Sequence, residues 1–260
     1  MPVYNIMLKP RIIPTLLVQH GGLVKTIKFS NQRYIGDPLN AVRIFNEKEA
    51  DELTVLDISA SREGKAPDYR LIERLANECR MPLSYGGGIK NLEQASRILS
   101  FGVEKIIVSS LAIENPKVIS SMATYLGNQS VVVAIDFKKT LLTRRYEVFI
   151  HNGTKKTGIS PEDLLKHAIE FGAGEILLNS IDRDGVMEGY DLEMLKKFRS
   201  ICTVPMTVLG GAGSLQDLKS LIQNLGIVGV SAGSLFVYKG IHKAVLINYP
   251  NREDKEALFY

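Results

Sequence analysis

The sequence predicts an α/β protein, a single (β/α)8 barrel of the TIM type, and three observations carry that prediction. Short β-branched runs alternate with longer amphipathic segments along the whole chain, the pattern of parallel strands joined by crossover helices. The chain's 260 residues match the roughly 250 that such a barrel uses. The two halves also repeat one another. Ser61-Arg-Glu-Gly64 returns as Asp182-Arg-Asp-Gly185, Pro82-Leu-Ser-Tyr-Gly-Gly-Gly88 as Pro205-Met-Thr-Val-Leu-Gly-Gly211, and Cys79 as Cys202, at spacings of 121 to 123 positions. One domain over 1–260 is expected, built from half-barrels over roughly 11–125 and 131–249.

The eight strands are expected at Arg11–Val18, Leu53–Ile58, Pro82–Tyr85, Lys105–Ser110, Val131–Phe137, Glu175–Asn179, Pro205–Leu209 and Ile227–Ala232. Each precedes a helical segment: Pro38–Ala50, Asp68–Cys79, Leu92–Phe101, Asn115–Tyr125, Pro161–Phe171, Leu192–Ile201, Leu215–Leu225, and a last one near Ile241–Ile247. Asp68, Ser160 and Ser214 stand where N-caps belong, because their side-chain oxygens can accept from the orphan N–H groups of a first turn. An open doubly wound sheet is the alternative, but its GxGxxG after the first strand is absent. Two decorations are expected: a long, partly mobile loop over Gly21–Tyr34 and a short hairpin arm over Arg145–His151.

Composition excludes several classes. Apolar residues make up 45% and charged residues 23%, as in ordinary globular proteins. The net charge of +4 is spread along the chain, so nucleic acid is not implied. No apolar run reaches the roughly 20 residues of a membrane span, and Met1–Pro10 lacks the apolar core of a signal peptide. A cytoplasmic protein is expected. Cys79 and Cys202 have no CxxC partner, and His20, His151, His167 and His242 lack metal-ligand spacing; neither a metal nor another cofactor is implied.

Chemistry is expected at the C-terminal ends of the strands. Glycine-rich turns after strands three and seven, Gly86-Gly87-Gly88 and Gly210-Gly211-Ala212-Gly213, each lead into a helix, where small residues let backbone N–H groups approach an anion. Strand four ends in Ser109-Ser110 and strand eight in Gly233-Ser234, which add hydroxyl and amide donors beside each turn. The alternative is that these glycines only permit tight turns; their symmetric doubling favours a phosphorylated small molecule with a phosphate at each end. Asp136 closes the run Val131–Ile135 and is the candidate acid–base group. Overlaying strand one on strand five places Leu17 where the second half holds Asp136. Lys25 lies in the long loop and can reach a phosphate, and Asp184, in Asp182-Arg-Asp-Gly185, can hold a polar substrate group or make an Asx turn. His20 and His151 have no convergent partner in the sequence. At the other end of the barrel, Arg11, Glu52, Lys105 and Glu175 begin apolar runs, and they either meet as a ring across the floor or remain solvated.

Arg11-Ile-Ile-Pro14, Tyr85-Gly-Gly-Gly-Ile89, Val131–Asp136, Ser180–Gly185 and Gly210–Gly213 together resemble the cyclase subunit of imidazole glycerol phosphate synthase, over essentially the whole chain. The resemblance implies a lyase-type barrel that takes ammonia from a class I glutaminase subunit docked on its N-terminal face and uses it on a bisphosphorylated ribulosyl aminoimidazole. It implies phosphate sites at Gly86, Gly87, Gly88, Ser109, Ser110, Gly210, Gly211, Gly213, Gly233 and Ser234. It also implies a mobile-loop lysine at Lys25 and an ammonia gate at Arg11, Glu52, Lys105 and Glu175. Of the family's two catalytic aspartates, Asp136 matches one and Leu17 replaces the other; Val186 and Leu209 stand where small hydroxyl residues are common. Gly21–Thr26, Ile44–Glu49, Ala232–Tyr238 and Ala244–Pro250 look closest to the acetamidino-modification homologues of bacterial surface-polysaccharide pathways, such as lipopolysaccharide biosynthesis. Those homologues are thought to work with a glutaminase and a sugar amidotransferase. The alternatives are an authentic cyclase of histidine biosynthesis and a non-catalytic glutaminase-activating subunit.

Overall fold

The computed structural model describes residues 9–140 and 144–259. The expectation about a leader concerned residues 1–10, of which 1–8 lie outside the described residues. The chain opens with β1 (Arg11–Gln19), the hairpin strands β2 (Gly22–Ile27) and β3 (Ser30–Gly36), and α1 (Pro38–Glu47). Next come β4 (Leu53–Asp57), α2 (Tyr69–Glu78), β5 (Leu83–Gly86), α3 (Leu92–Ser100), β6 (Lys105–Val108), α4 (Ser110–Glu114) and α5 (Lys117–Leu126). The second half runs β7 (Val131–Lys139), β8 (Tyr146–Ile150), β9 (Lys155–Lys156), α6 (Pro161–Glu170), β10 (Glu175–Ser180), α7 (Leu192–Ile201), β11 (Met206–Leu209), α8 (Leu215–Leu225) and β12 (Gly229–Ala232). It closes with α9 (Ser234–Val237), β13 (Tyr238–Lys239), β14 (Ala244–Val245) and α10 (Arg252–Phe259).

Eight parallel strands, in the order β1, β4, β5, β6, β7, β10, β11, β12, close on themselves through β12 and β1. This is the (β/α)8 barrel that the alternation predicts. Side chains alternate along each strand. Val131, Val133 and Ile135 of β7 pack outward against the helices, while Val132 and Ala134 point inward with Ile107, Leu177 and Leu209. The outward layer is the main core; Phe45, Phe137, Phe198 and Phe236 are fully buried in it, each contributing about 1.5–3 kcal/mol. Asp68, Ser160 and Ser214 cap α2, α6 and α8 through their side chains.

Two expectations are corrected. Gly21–Tyr34 is not a loop: β2 pairs antiparallel with the end of β1, and β3 pairs with β2, because Leu23 and Val24 can continue the buried sheet. Ile241–Ile247 is not a helix: Gly240 and Lys243 take positive φ, the chain turns back, and Tyr238 pairs with Val245. The last helix lies later, at Arg252–Phe259, and packs beside α8. The expected Asn115–Tyr125 helix forms as α5, from Lys117, and a separate short helix, α4, precedes it and ends at Glu114. The Arg145–His151 arm forms as β8, which pairs with β7 and with β9. Among the described residues no helix is long and apolar enough to cross a membrane.

Candidate active site

A cavity of about 550 Å³ opens at the C-terminal ends of the barrel strands, within the usual size range of small-ligand sites. Gly86, Gly87, Gly88, Ser109 and Ser110 line one wall, and Gly210, Gly211, Gly233 and Ser234 line the other. Gly213 stands apart: it does not line the cavity, and its N–H donates to Asp217 Oδ2 at 3.0 Å as part of the turn that starts α8. The structure thus gathers nine of the ten expected anion-site residues.

Asp136 ends the inward face of β7. Its Oδ2 accepts from Ser109 Oγ at 3.0 Å and its Oδ1 from Asn179 Nδ2 at 2.9 Å. Burial pushes its carboxyl up to about 6, against the opposing pull of those two hydrogen bonds. Across the cavity, Leu17 and Leu209 are buried where a second polar group would be needed to form a pair. Leu17 therefore leaves Asp136 without a carboxylate on the first strand to share its proton.

Lys25 does not wave on a loop. Strand β2 carries it into the interior at 4% exposure, and its Nζ donates to the Thr15 carbonyl at 2.7 Å. Burial lowers its pKa to about 8, only partly offset by Asp184. The ammonium lies against Gly233, where a Cβ would come within 2.4 Å of Nζ; a cation thus sits beside the second glycine wall. Asp184 is tied to the same hairpin, since its Oδ2 accepts from Thr26 Oγ1 at 2.6 Å and from the Phe29 N–H at 3.2 Å. Burial raises its pKa despite those bonds and the nearby Lys25. The Lys28 N–H adds a bond to the Asp184 carbonyl at 2.9 Å.

The hairpin is thus latched onto the rim, and Gly185 permits the approach. It has φ +67°, and a Cβ there would lie 2.1 Å from the Thr26 carbonyl. Gly185→Ala is expected to lift the hairpin and free its backbone for cleavage by trypsin at the exposed Lys28 and Arg33, with a stability loss of about 1–3 kcal/mol. Limited proteolysis with a melting curve checks this; unchanged cleavage and unchanged midpoint would show that the latch carries no weight.

Four rim and floor residues escaped the sequence reading. Asn179 follows Glu175 at the inward period of two on β10, a signal the sequence does contain. His151 and Asn152 turn the arm into the cavity, and Glu114 meets His151 Nε2 at 2.8 Å. The partner of His151 comes from 37 residues away, a proximity that no local pattern encodes.

At the opposite end of the barrel, Arg11, Glu52, Lys105 and Glu175 meet. Arg11 pairs with Glu52 and, at 2.8 Å, with Glu175; Lys105 Nζ reaches Glu52 at 3.0 Å and Glu175 at 3.0 Å. Ser84 and Thr207 donate to the two carboxylates at 2.9 and 2.5 Å. Burial would raise the Glu175 pKa, but Arg11 and Lys105 outweigh it and hold the carboxyl below its ordinary value. Above this ring lies a void of about 10 Å³, lined by Thr54, Ser84 and Thr207 and capped by Ile107 and Leu177. The same two apolar side chains line the floor of the large cavity.

The family described as "Histidine biosynthesis protein" matches residues 11–243. A Leptospira borgpetersenii chain named "Putative imidazole glycerol phosphate synthase subunit HisF" is 78% identical over 97% of this chain and 100% of its own length. A Vibrio vulnificus relative with the same name, but numbered hisF3, is 57% identical over 98% of each chain. A Lactococcus lactis relative, named "Imidazole glycerol phosphate synthase subunit HisF" without that qualifier, is 43% identical over 89% of this chain and 90% of its own length.

Proposed function

The chain belongs to the imidazole glycerol phosphate synthase cyclase family, and from that premise we propose that it is an ammonia-using barrel diverted from histidine synthesis to the acetamidino modification of a sugar in surface-polysaccharide synthesis. The observation that carries this reading is the one-sided chamber. Asp136 is in place, Leu17 fills the position across from it, and the charged ring at the other end is kept whole. A class I glutaminase subunit docks on the N-terminal face, and the ring of Arg11, Glu52, Lys105 and Glu175 gates ammonia into the barrel. Neutral ammonia passes the 10 Å³ void and the apolar cap of Ile107 and Leu177, which disfavour a bare ion. A phosphorylated ligand spans the glycine walls, with the Lys25 ammonium beside the second; Asp136 exchanges the proton, and Asp184 holds the hairpin over the site. A sugar amidotransferase takes the nitrogen onward. The numbered name of the Vibrio relative, against the unqualified name of the more distant Lactococcus one, agrees with a specialised copy.

The test mixes the chain with a glutaminase subunit, glutamine and the ribulosyl aminoimidazole substrate, and compares the native protein with Leu17→Asp. No imidazole product from the native chain, with product in the variant, is the expected result. Ordinary cyclase turnover by the native chain would place it in histidine synthesis. That second reading draws on Asp136, Lys25 and both glycine walls standing together around one cavity.

A further inference from the structure

Along β10 the period of two sends Glu175, Leu177 and Asn179 inward, at heights roughly 6.6 Å apart. Glu175 belongs to the charged ring, Leu177 caps the void above it, and Asn179 lines the large cavity. One strand therefore marks the route from floor to chamber, and Asn179 is its last inward residue.

Asn179 is 5% exposed. Its Nδ2 donates to Asp136 Oδ1 at 2.9 Å, which fixes the amide and leaves Oδ1 as the free acceptor. That Oδ1 is buried and has no hydrogen-bond partner among the described residues, a state that protein interiors rarely leave unexplained. Only glycine fits beside it at position 210, since a Cβ there would crowd that oxygen at 3.2 Å and the Ser180 carbonyl at 2.7 Å. The in-register neighbours of Asn179 are Asp136 and Leu209; the first is another acceptor and the second supplies nothing. Two acceptors on adjacent strands repel an unprotonated oxygen, whether of a phosphate, an ether or a carbonyl. They suit a group with several N–H bonds, one for each.

We infer that Asn179 and Asp136 form a subsite for a small, N–H-rich nitrogen group, ammonia or ammonium being the smallest occupant, with Asn179 as the residue that selects it. That this nitrogen is the one being transferred rests on the function proposed above; the chemistry of the subsite does not.

The experiment uses the full chain with carboxyl-labelled aspartate and follows the Asp136 carboxyl by NMR in ammonium chloride and in potassium chloride of equal concentration. Potassium has the same charge and nearly the same size but no N–H. Ammonium is expected to lower the Asp136 midpoint by roughly one unit more than potassium does, and Asn179→Leu to erase the difference. Equal midpoints in the two salts, or a difference that survives Asn179→Leu, would overturn the inference. If that variant fails to fold, the comparison of salts on the native chain decides alone. No glutaminase and no acceptor are present, so this result and the transfer assay can fail independently.

Discussion

Asp136→Asn is expected to lower any ammonia-dependent turnover of the barrel by about 10² to 10⁴, while making the fold more stable at neutral pH. Both effects come from one cause. Burial pushes the carboxyl up to about 6, so the folded chain holds that proton more tightly than the unfolded chain, whose carboxyl sits near 4. Stability from this group is then greatest below about 4, falls as pH rises from about 4 to about 6, and stays reduced above. The full shift corresponds to about 3 kcal/mol; solvent in the open cavity reduces the expected gain in the variant to about 1–3 kcal/mol at pH 7. Urea denaturation at pH 4 and pH 7 reads the stability, and product formation with glutaminase and glutamine reads the turnover. A variant that keeps native turnover would remove Asp136 from the chemistry. A variant no more stable at pH 7 than the native chain would show that the carboxylate is well solvated.

Glu175→Ala is expected to cost about 3 kcal/mol of stability and roughly 6–12 °C in melting midpoint. The carboxylate accepts from Arg11 at 2.8 Å, Lys105 at 3.0 Å and Thr207 at 2.5 Å. Without it, two cations share the single charge of Glu52 in a mostly buried setting. Because the folded-state pKa of Glu175 is depressed, its contribution is complete above the ordinary glutamate range and is lost as pH falls through the depressed value. The gap between native and variant should therefore narrow in acid. A variant as stable as the native chain at pH 7 would mean that desolvation cancels the attraction throughout the ring.

The legible parts of this molecule are those in which a local pattern coincides with a global role. Val131–Asp136 reads as a strand because an apolar run can be buried on both faces, and its terminal aspartate falls at the rim because the run ends there. The caps at Asp68, Ser160 and Ser214 were visible because capping is a contact between residues three apart. Ile241–Ile247 misled because its apolar spacing fits a helix, whereas the backbone turn at Gly240 and Lys243 sets a hairpin. Lys25 misled because lysines seldom lie buried; only its bond to the Thr15 carbonyl and the open face of Gly233 make the position tolerable. Asn179 is not legible from its strand alone, since an amide gains significance only when one end is held and the other left bare. Its meaning depends on Asp136, 43 residues away.

The fit of the Lys25 ammonium against Gly233 also makes the seat of this charge depend on an atom that is missing. A methyl group at position 233 would meet the flexible end of the lysine, so the cation would shift while the barrel backbone stayed in place. Where the positive charge stands at this rim is thus decided by a residue with no side chain of its own.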